Sequence, residues 1–345
     1  MRIRLIKSLK GGETLAEPVI TKEKEVLISK GTVLKPEYLD LMSFLGIDTV
    51  CIEDPYESYE EVHQILDREK INDYISRTQA ILESHIYHGE KSLEKMKPLS
   101  EELVKDILNA ECSTVIDMGE RSGNLYEHTV MVTILALLLA KKLKQKEDVL
   151  YRISLGCLLH DLGIRYITVP YLNCDFTNSS SAQTFEFKKH TILAYSALEG
   201  ETWLGSIEKK MILSHHERKD GSGFPLRQKT KETECNILQV CDAFDCMISG
   251  MECRRVTVQQ ALEYLVETSD VLFEARIVKM LQKSVARYPA GTVVRLNTGE
   301  MGIVVSQSKD PIRPVVLILD EAGNVTEKRH YLEKEKDTAI IHIEE

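Results

Sequence analysis

Residues 153–164 read ISLGCLLHDLGI, an apolar helical run that ends on the adjacent pair His160 and Asp161. An ionised carboxylate or an unpaired imidazole is costly to bury in apolar surroundings, so this pair requires partners. Adjacent histidine and aspartate also arise by chance. The interpretation therefore depends on whether the rest of the chain places similar residues in similar surroundings.

Further histidines and one further aspartate repeat this pattern in the helical middle of the chain. His128 lies in the apolar segment 125–143, and Asp242 directly follows the run ILQVC. A structural hydrogen-bond network could explain any one of them, but the set would need a separate explanation at each position. Metal coordination satisfies all of them at once, and helical bundles commonly house such sites. The candidate ligands are His128, His160, Asp161, His190, His215, His216 and Asp242.

Seven candidate ligands exceed what one six-coordinate ion accepts. Two ions that share one bridging carboxylate would use all seven and leave positions for water or substrate. Asp161 is the natural bridge, because its neighbour His160 lets adjacent residues serve adjacent ions. Such a centre suits the hydrolysis of phosphate esters, in which a hydroxide between two metals attacks phosphorus.

The 345-residue chain is long enough for more than one domain. Residues 113–288 are almost wholly helical in pattern, whereas residues 1–54 mix short strand-like runs with one helix. Residues 55–112 are polar and helical, which is typical of a linker. A homodimer formed through residues 57–109 is an alternative to packing of these helices on the same chain. Residues 289–345 contain the runs TVVRL, MGIVV and PVVLIL, separated by turn signals, which predicts a small antiparallel β module.

Composition and charge narrow the classes of partner. The net charge is −10, which argues against binding of long nucleic acid because phosphate neutralisation needs a basic face. The eight cysteines form no CxxC pair, which favours reduced thiols. The N-terminus lacks a signal-peptide pattern, and the most apolar stretch, residues 130–140, is about half the length needed to cross a bilayer. We therefore predict a cytoplasmic protein without a membrane span.

The ordered motifs resemble those of one known family. The order H…HD…H…HH…D, with HHERKDGSGFP at residues 215–225 and CDAFD at residues 241–245, is similar to that of the HD-GYP branch of the HD superfamily. The resemblance covers about residues 113–288, and YPAGTVVRLNTGEMGIVV at residues 288–305 looks like a β extension that many such proteins carry. The implied fold class is multidomain, with an all-α HD-type helical bundle core, a small N-terminal α+β module and a small C-terminal antiparallel β module.

The resemblance also implies roles for the candidate ligands. One metal would be held by His128, His160, Asp161 and Asp242, with Asp161 bridging to a second metal that is held by the three remaining histidines. The expected cofactors are two divalent ions, Fe or Mn before Zn, Ni or Mg. The expected substrate is cyclic di-GMP or a related small nucleotide, and the products are the linear dinucleotide or GMP.

The DGSGFP loop is expected beside this site. Gly221 and Gly223 would adopt unusual backbone angles and contact substrate, although an ordinary turn at a helix end explains these glycines equally well. Glu217 and Asp220 would orient the metal ligands. Arg254 stands where a basic residue usually contacts the substrate phosphate, and we predict that it assists catalysis beside Asp161.

Several residues depart from the family pattern. Ile164 replaces the usual lysine, Phe224 replaces tyrosine, and Asn124 stands where members with a third metal carry glutamate. Met251 and Cys253 replace an arginine and a tyrosine. The metal ligands are thus complete while the substrate contacts are reduced.

Three functions follow from this combination. The first is an active cyclic di-GMP phosphodiesterase. The second is a degenerate protein that binds metal and nucleotide as a sensor or interaction module with little catalysis. The third is an HD hydrolase that acts on another nucleotide. A cationic group near a transferring phosphoryl contributes strongly to catalysis, so loss of the lysine at position 164 bears on all three.

Overall fold

A computed structural model describes most of the chain. The described residues divide into two compact units, one within residues 64–116 and 123–285 and the other within residues 1–63, 117–122 and 286–345. The predicted boundaries after residues 54 and 112 fall on or beside residues outside the described part, so they stay predictions. The described residues are 2–20, 26–45, 47, 49–53, 65–88, 91–111, 115–119, 121, 123–174, 176, 179–321 and 323–344.

The N-terminal module combines one helix with four short strands. Helix α1 (Pro36–Phe44) carries proline in its first turn, where the missing amide hydrogen costs nothing. Buried apolar side chains, among them Leu15, Leu34 and Met42, form its core. The predicted α+β module is confirmed. The strands are β1 (Arg2–Leu5), β2 (Val19–Ile20), β3 (Val26–Ile28) and β4 (Thr49–Ile52), with β1 antiparallel to β4 and β2 antiparallel to β3.

The second unit is helical, which confirms the predicted all-α core. Its central helix, α4, is apolar on nearly every side and is buried almost throughout, because other helices cover it on several sides. Asn124 caps its first turn by accepting hydrogen bonds from two backbone amides. The helices are α2 (Arg68–His88), α3 (Met96–Asn109), α4 (Leu125–Lys142), α5 (Glu147–Leu159), α6 (Ser181–Lys188), α7 (His190–Leu198), α8 (Ser206–Ser214), α9 (Thr233–Ser249), α10 (Val258–Glu267) and α11 (Ala275–Gln282).

One predicted helix is divided in two. The sequence pattern predicts a continuous helix from Thr184 to Leu198, whereas the chain forms α6 and α7 with Lys189 at the junction. At this junction the Phe187 carbonyl accepts a hydrogen bond from Nδ1 of His190 at 2.8 Å. A side-chain donor that takes a backbone carbonyl competes with the helical ladder, and this competition explains the break.

Helices α2 and α3 lie in the same unit as α4 and α5 and contact them. In α3 the residues Met96, Leu99, Leu103 and Ile107 recur at helical spacing and are all buried. The segment predicted as a linker therefore buries an apolar face within the helical unit. Dimerisation through residues 57–109 stays a prediction, and residues 57–64 lie outside the described part.

The C-terminal residues form a five-stranded antiparallel sheet in the order β8-β7-β6-β5-β9. This confirms the predicted β module and adds two strands to the three that the sequence pattern indicated. The strands are β5 (Val293–Leu296), β6 (Met301–Ser306), β7 (Val315–Leu319), β8 (Val325–Tyr331) and β9 (Ile340–Ile343).

No helix among the described residues is long and apolar enough to cross a membrane. The cytoplasmic location stays a prediction.

The C-terminal end of α3 generates a prediction about stability. The ammonium group of Lys141 donates to the carbonyls of Ile107, Leu108 and Ala110 at 2.9, 2.8 and 2.6 Å. The last carbonyls of a helix lack helical partners and attract cations. We expect Lys141→Met to lower the free energy of unfolding by about 1–3 kcal/mol. Chemical denaturation checks this, with Lys105→Met on the exposed side of α3 as the control; equal stabilities would contradict it.

Candidate metal centre

The seven predicted ligands come from five parts of the helical unit. His128 lies on α4, His160 follows α5, His190 begins α7, and Asp242 lies on α9. The remaining residues are Asp161, which starts a short 3-10 helix over Leu162–Tyr166, and the pair that follows α8. None of the seven is more than 7% exposed. The structure thus brings together all seven residues in one buried cluster.

The carboxylate of Asp161 lies between two groups of histidines. Its Oδ2 is 3.5 Å from Nε2 of His128 and 3.5 Å from Nε2 of His160. Its Oδ1 faces the other way, 3.8 Å from Nε2 of His190 and 3.5 Å from Nε2 of His215. Each carboxylate oxygen therefore serves a different group, which is the geometry of a bridging ligand.

The first group is completed by Asp242. Its Oδ1 is 3.3 Å from Nε2 of His128 and 3.5 Å from Nε2 of His160. The two imidazole Nε2 atoms are themselves 3.3 Å apart. Four ligand atoms, two of nitrogen and two of oxygen, therefore converge on one point.

The second group consists of the other three histidines. The Nε2 atoms of His190 and His215 are 3.1 Å apart. The ring of His216 lies 4.3 Å from that of His215 and 4.9 Å from that of His190, measured between centroids. One nitrogen from each of the three lies within 4.8 Å of the others.

Backbone carbonyls fix the tautomers of three of these histidines. Nδ1 of His160, His190 and His215 lies 2.6, 2.8 and 2.7 Å from the carbonyl oxygen three residues earlier. A carbonyl can only accept, so Nδ1 carries the hydrogen and donates it. Nε2 of each ring therefore presents its lone pair to the cluster, as a metal ligand requires.

His128 is oriented by a residue that the sequence analysis did not assign. Nδ1 of His128 lies 2.7 Å from Oδ2 of Asp245, which is fully buried. A carboxylate that holds the outer nitrogen of a metal-binding histidine fixes its orientation and raises its basicity. Asp245 follows Asp242 by three residues on α9, so helical spacing placed both on one face and could have revealed it.

Several polar atoms of the cluster have no hydrogen-bond partner among the described residues. These are both carboxylate oxygens of Asp161, Oδ2 of Asp242 and Nε2 of His216. Buried polar atoms normally have partners, because desolvation without compensation is costly. Imidazole nitrogens and carboxylate oxygens that face one another without hydrogen bonds fit divalent metal ions.

The protonation states of Asp161 and His190 favour metal binding. Burial opposes ionisation of Asp161, but the surrounding histidines, His160 foremost, hold its pKa below the usual range. Burial lowers the pKa of His190 to about 4. An ionised carboxylate and a neutral imidazole are the forms that bind metal.

Glu252 is a second residue that the sequence analysis missed. It is 9% exposed, and its Oε2 lies 3.0 Å from Nε2 of His216. Burial and the charge of Asp161 raise its pKa to about 7. Its place in the loop after α9, between Met251 and Cys253, gives no sequence signal of burial.

One prediction for the DGSGFP loop needs correction. Gly221 has a φ of +81°, as predicted, but Gly223 has no left-handed backbone angle. A side chain at Gly223 would meet the carbonyl oxygen of His216 at 2.4 Å, so this glycine is required for close packing against the ligand backbone. No described contact places either glycine at a substrate position, and that role stays a prediction.

The hydrogen bonds of Glu217 and Asp220 lie within the loop, and their predicted role in orienting the metal ligands stays a prediction. The carboxylate of Glu217 accepts the backbone amides of Leu226 and Gln228 at 2.6 and 2.8 Å. Asp220 is exposed and accepts the amide of Ser222 at 2.9 Å. Backbone carbonyls orient His160, His190 and His215, and Asp245 orients His128.

Comparison of the sequence with known protein families identifies the family to which the chain belongs. A family model described as an HD domain matches residues 102–277, just over half of the chain. The chain belongs to the HD domain family. A second model, described as a KOW domain associated with HD domain, matches residues 293–345. The family predicted from the ordered motifs is therefore confirmed.

Two curated relatives of this HD domain protein are each less than one third identical to it in sequence over the aligned residues. It is 28% identical over 188 residues to a cyclic di-GMP phosphodiesterase of Pseudomonas aeruginosa, covering 53% of this chain and 44% of that protein. It is 28% identical over 176 residues to a cyclic di-GMP phosphodiesterase response regulator of Xanthomonas campestris pv. campestris, covering 48% and 45%. The chain thus spans about half the length of the curated relatives it matches.

A solved structure shares the fold. It is described as a HDG"Y"P protein from Bdellovibrio bacteriovorus and superimposes with a TM-score of 0.53 at 16% identity. The match covers 81% of this chain and 97% of that protein. At this identity the comparison shows the architecture and not the activity.

Two departures of this HD domain from the family pattern, Ile164 and Met251, lie at buried positions. Ile164 is 2% exposed and Met251 is fully buried, so neither presents a charge to the cluster. Phe224 stacks on His216 with ring centroids 4.5 Å apart. Arg254 is exposed on the loop after α9, and its contact with substrate stays a prediction.

The glycine of the HDLG motif generates a prediction. A side chain on Gly163 would lie 1.8 Å from the carbonyl oxygen of His190. We expect Gly163→Ala to displace His190, to lower the free energy of unfolding by about 1–3 kcal/mol and to weaken metal binding. Denaturation and metal-binding measurements check this. Gly200→Ala, which has no neighbour within 4 Å, is the control, and matching behaviour of the two variants would refute the argument.

Asp245 generates a second prediction. Asp245→Asn keeps the size of the side chain but removes the charge beside Nδ1 of His128. We expect the affinity for one of the two ions to fall by about 10–100-fold, as is usual when an outer partner of a ligand is lost. Calorimetry with Mn²⁺ measures this, and Asp337→Asn at an exposed position is the control. Unchanged affinity would show that Asp245 does not support the site.

Proposed function

We propose that this protein is a metal-dependent phosphodiesterase that hydrolyses cyclic di-GMP at the buried cluster. One observation carries the proposal: the two oxygens of Asp161 face two separate groups of ligand atoms. That arrangement supports two ions with a shared carboxylate, and two ions suit phosphodiester hydrolysis. The curated relatives named as cyclic di-GMP phosphodiesterases support the choice of substrate.

The chain's own residues would hold and orient the reacting groups. Two divalent ions, Fe or Mn before Zn, Ni or Mg, would supply Lewis acidity that activates water and neutralises phosphate oxygens. Asp161 would fix the separation of the ions. His128, His160 and Asp242 would hold one of them, and the three histidines of the second group would hold the other. A carboxylate orients the lone pair of His128, and backbone carbonyls orient those of His160, His190 and His215.

The accessible side of the cluster supports a substrate approach beside His216. His216 and Glu252, at 7% and 9% exposure, are its most exposed members. Phe224 stacks on His216, and the ammonium group of Lys188 lies 5.1 Å from the centre of the Phe224 ring. Lys188 therefore supplies positive charge near this opening, where a phosphate would benefit from it.

A degenerate binding protein is the second candidate. It is favoured by the buried Ile164 and Met251, which replace two cationic residues of the family pattern and offer no charge to a phosphate. Such a protein would retain metal and nucleotide with little turnover. Hydrolysis of a different nucleotide remains the third alternative, and a panel of phosphate esters separates it from the first.

The proposal predicts the outcome of one substitution. In metal-loaded protein prepared without oxygen, Asp161→Asn should lower cyclic di-GMP hydrolysis by at least about 100-fold, because the shared ligand of both ions is lost. Product analysis distinguishes the linear dinucleotide from GMP. Asp148→Asn at an exposed position of α5 is the control and should keep full activity.

Two outcomes would contradict this function. Tight binding of cyclic di-GMP by metal-loaded wild-type protein without any product would favour the degenerate sensor. Hydrolysis of another phosphate ester in preference to cyclic di-GMP would favour the third alternative.

A further inference from the structure

The loop after α9 directs an acidic side chain towards the second group of histidines. Gly250 ends α9 in the left-handed conformation with a φ of +76°, and Glu252 has a φ of +59°. Non-glycine residues adopt such angles only where the surroundings impose them. Here the amide of Glu252 donates to the Tyr171 carbonyl at 2.6 Å, and the amide of Asn173 donates to the Gly250 carbonyl at 2.7 Å.

The carboxylate of Glu252 contacts two histidines of that group. Its Oε2 lies 3.0 Å from Nε2 of His216, and its Oε1 lies 3.8 Å from Nε2 of His190. Glu252, His190 and Asp161 also form a set whose ligand atoms lie within 4.8 Å of one another. The side chain therefore extends the second group beyond its three imidazoles.

These contacts do not form a hydrogen-bond network. Nε2 of His216 and Oε1 of Glu252 have no hydrogen-bond partner among the described residues, although both are buried. Two adjacent ligand atoms of an octahedral ion, each about 2.1 Å from it, lie about 3 Å apart. The distance between His216 and Glu252 matches that spacing.

We propose that Glu252 is a protein ligand of the second metal ion. This inference rests on the proposed two-metal site and deepens it. The second ion would be held by three imidazoles and two carboxylates, those of Asp161 and Glu252. Glu252 would then occupy a coordination position on the more exposed side of the cluster, and water or a substrate oxygen could no longer take that position.

Glu252→Gln is the decisive variant. Glutamine has nearly the same size and keeps an oxygen that can accept a hydrogen bond from His216, but a neutral amide is a much weaker ligand for these ions than a carboxylate. A residue that acted only through a hydrogen bond to His216 would therefore be largely replaced by glutamine. A metal ligand would not.

The measurement is binding of Mn²⁺ to metal-free full-length protein, with free Mn²⁺ counted by electron paramagnetic resonance. We expect two sites in the wild type. In Glu252→Gln one site should weaken by at least about 10-fold while the other stays unchanged. Glu267→Gln, at an exposed position of α10, is the matched control and should bind as the wild type does.

A second readout separates loss of a ligand from a general folding defect. Removal of a buried negative charge near Asp161 should leave the thermal midpoint of metal-free Glu252→Gln equal to or above that of the wild type. The increase in midpoint that Mn²⁺ produces should be smaller in the variant, because binding to the folded state is weaker.

The possible results are distinguishable. Two sites of wild-type affinity in Glu252→Gln would overturn this inference and leave the proposed phosphodiesterase intact. A lower midpoint of the metal-free variant with an unchanged Mn²⁺ response would also overturn it, since the role would then be structural. Failure of the wild type to bind two ions would overturn the proposed function as well.

Discussion

The structure of the helical unit depends on one buried carboxylate. Asp161 is 2% exposed, and neither of its oxygens has a hydrogen-bond partner among the described residues. An ionised group in such a place needs compensating interactions. Five histidines and a second aspartate converge on it. Because those residues come from separate helices, the positions of α4, α5, α7, α8 and α9 are coupled to this single requirement.

The histidines are held by features of the backbone. Three of them follow or begin helices, where backbone carbonyls three residues earlier accept Nδ1–H and turn Nε2 inwards. Gly163 and Gly223 let backbone segments approach the ligands closely, at His190 and His216 respectively. Glycine is therefore sterically required at both positions, and this explains why the HDLG motif includes a glycine after its histidine and aspartate.

The substrate side follows a different pattern from the metal side. Metal ligands are complete, whereas Ile164 and Met251 are buried apolar residues where the family pattern has cations. Glu252 adds negative charge at the same side, and Lys188 adds positive charge beside Phe224. In the proposed reaction the balance of these charges would decide how a phosphate approaches, so turnover and metal binding would be separable.

The sequence by itself determined the family, the helical core and the seven buried histidines and aspartates, because each lies in an apolar run that demands compensation. Helical spacing also places Asp245 on the same face of α9 as Asp242. Tertiary structure alone decided the division of the segment at Lys189, the close-packing role of Gly223 and the burial of Glu252. The burial of Glu252 depends on contacts with residues distant in sequence. The break at Lys189 and the packing of Gly223 depend on contacts with His190 and His216, and local periodicity carries no record of either kind of contact.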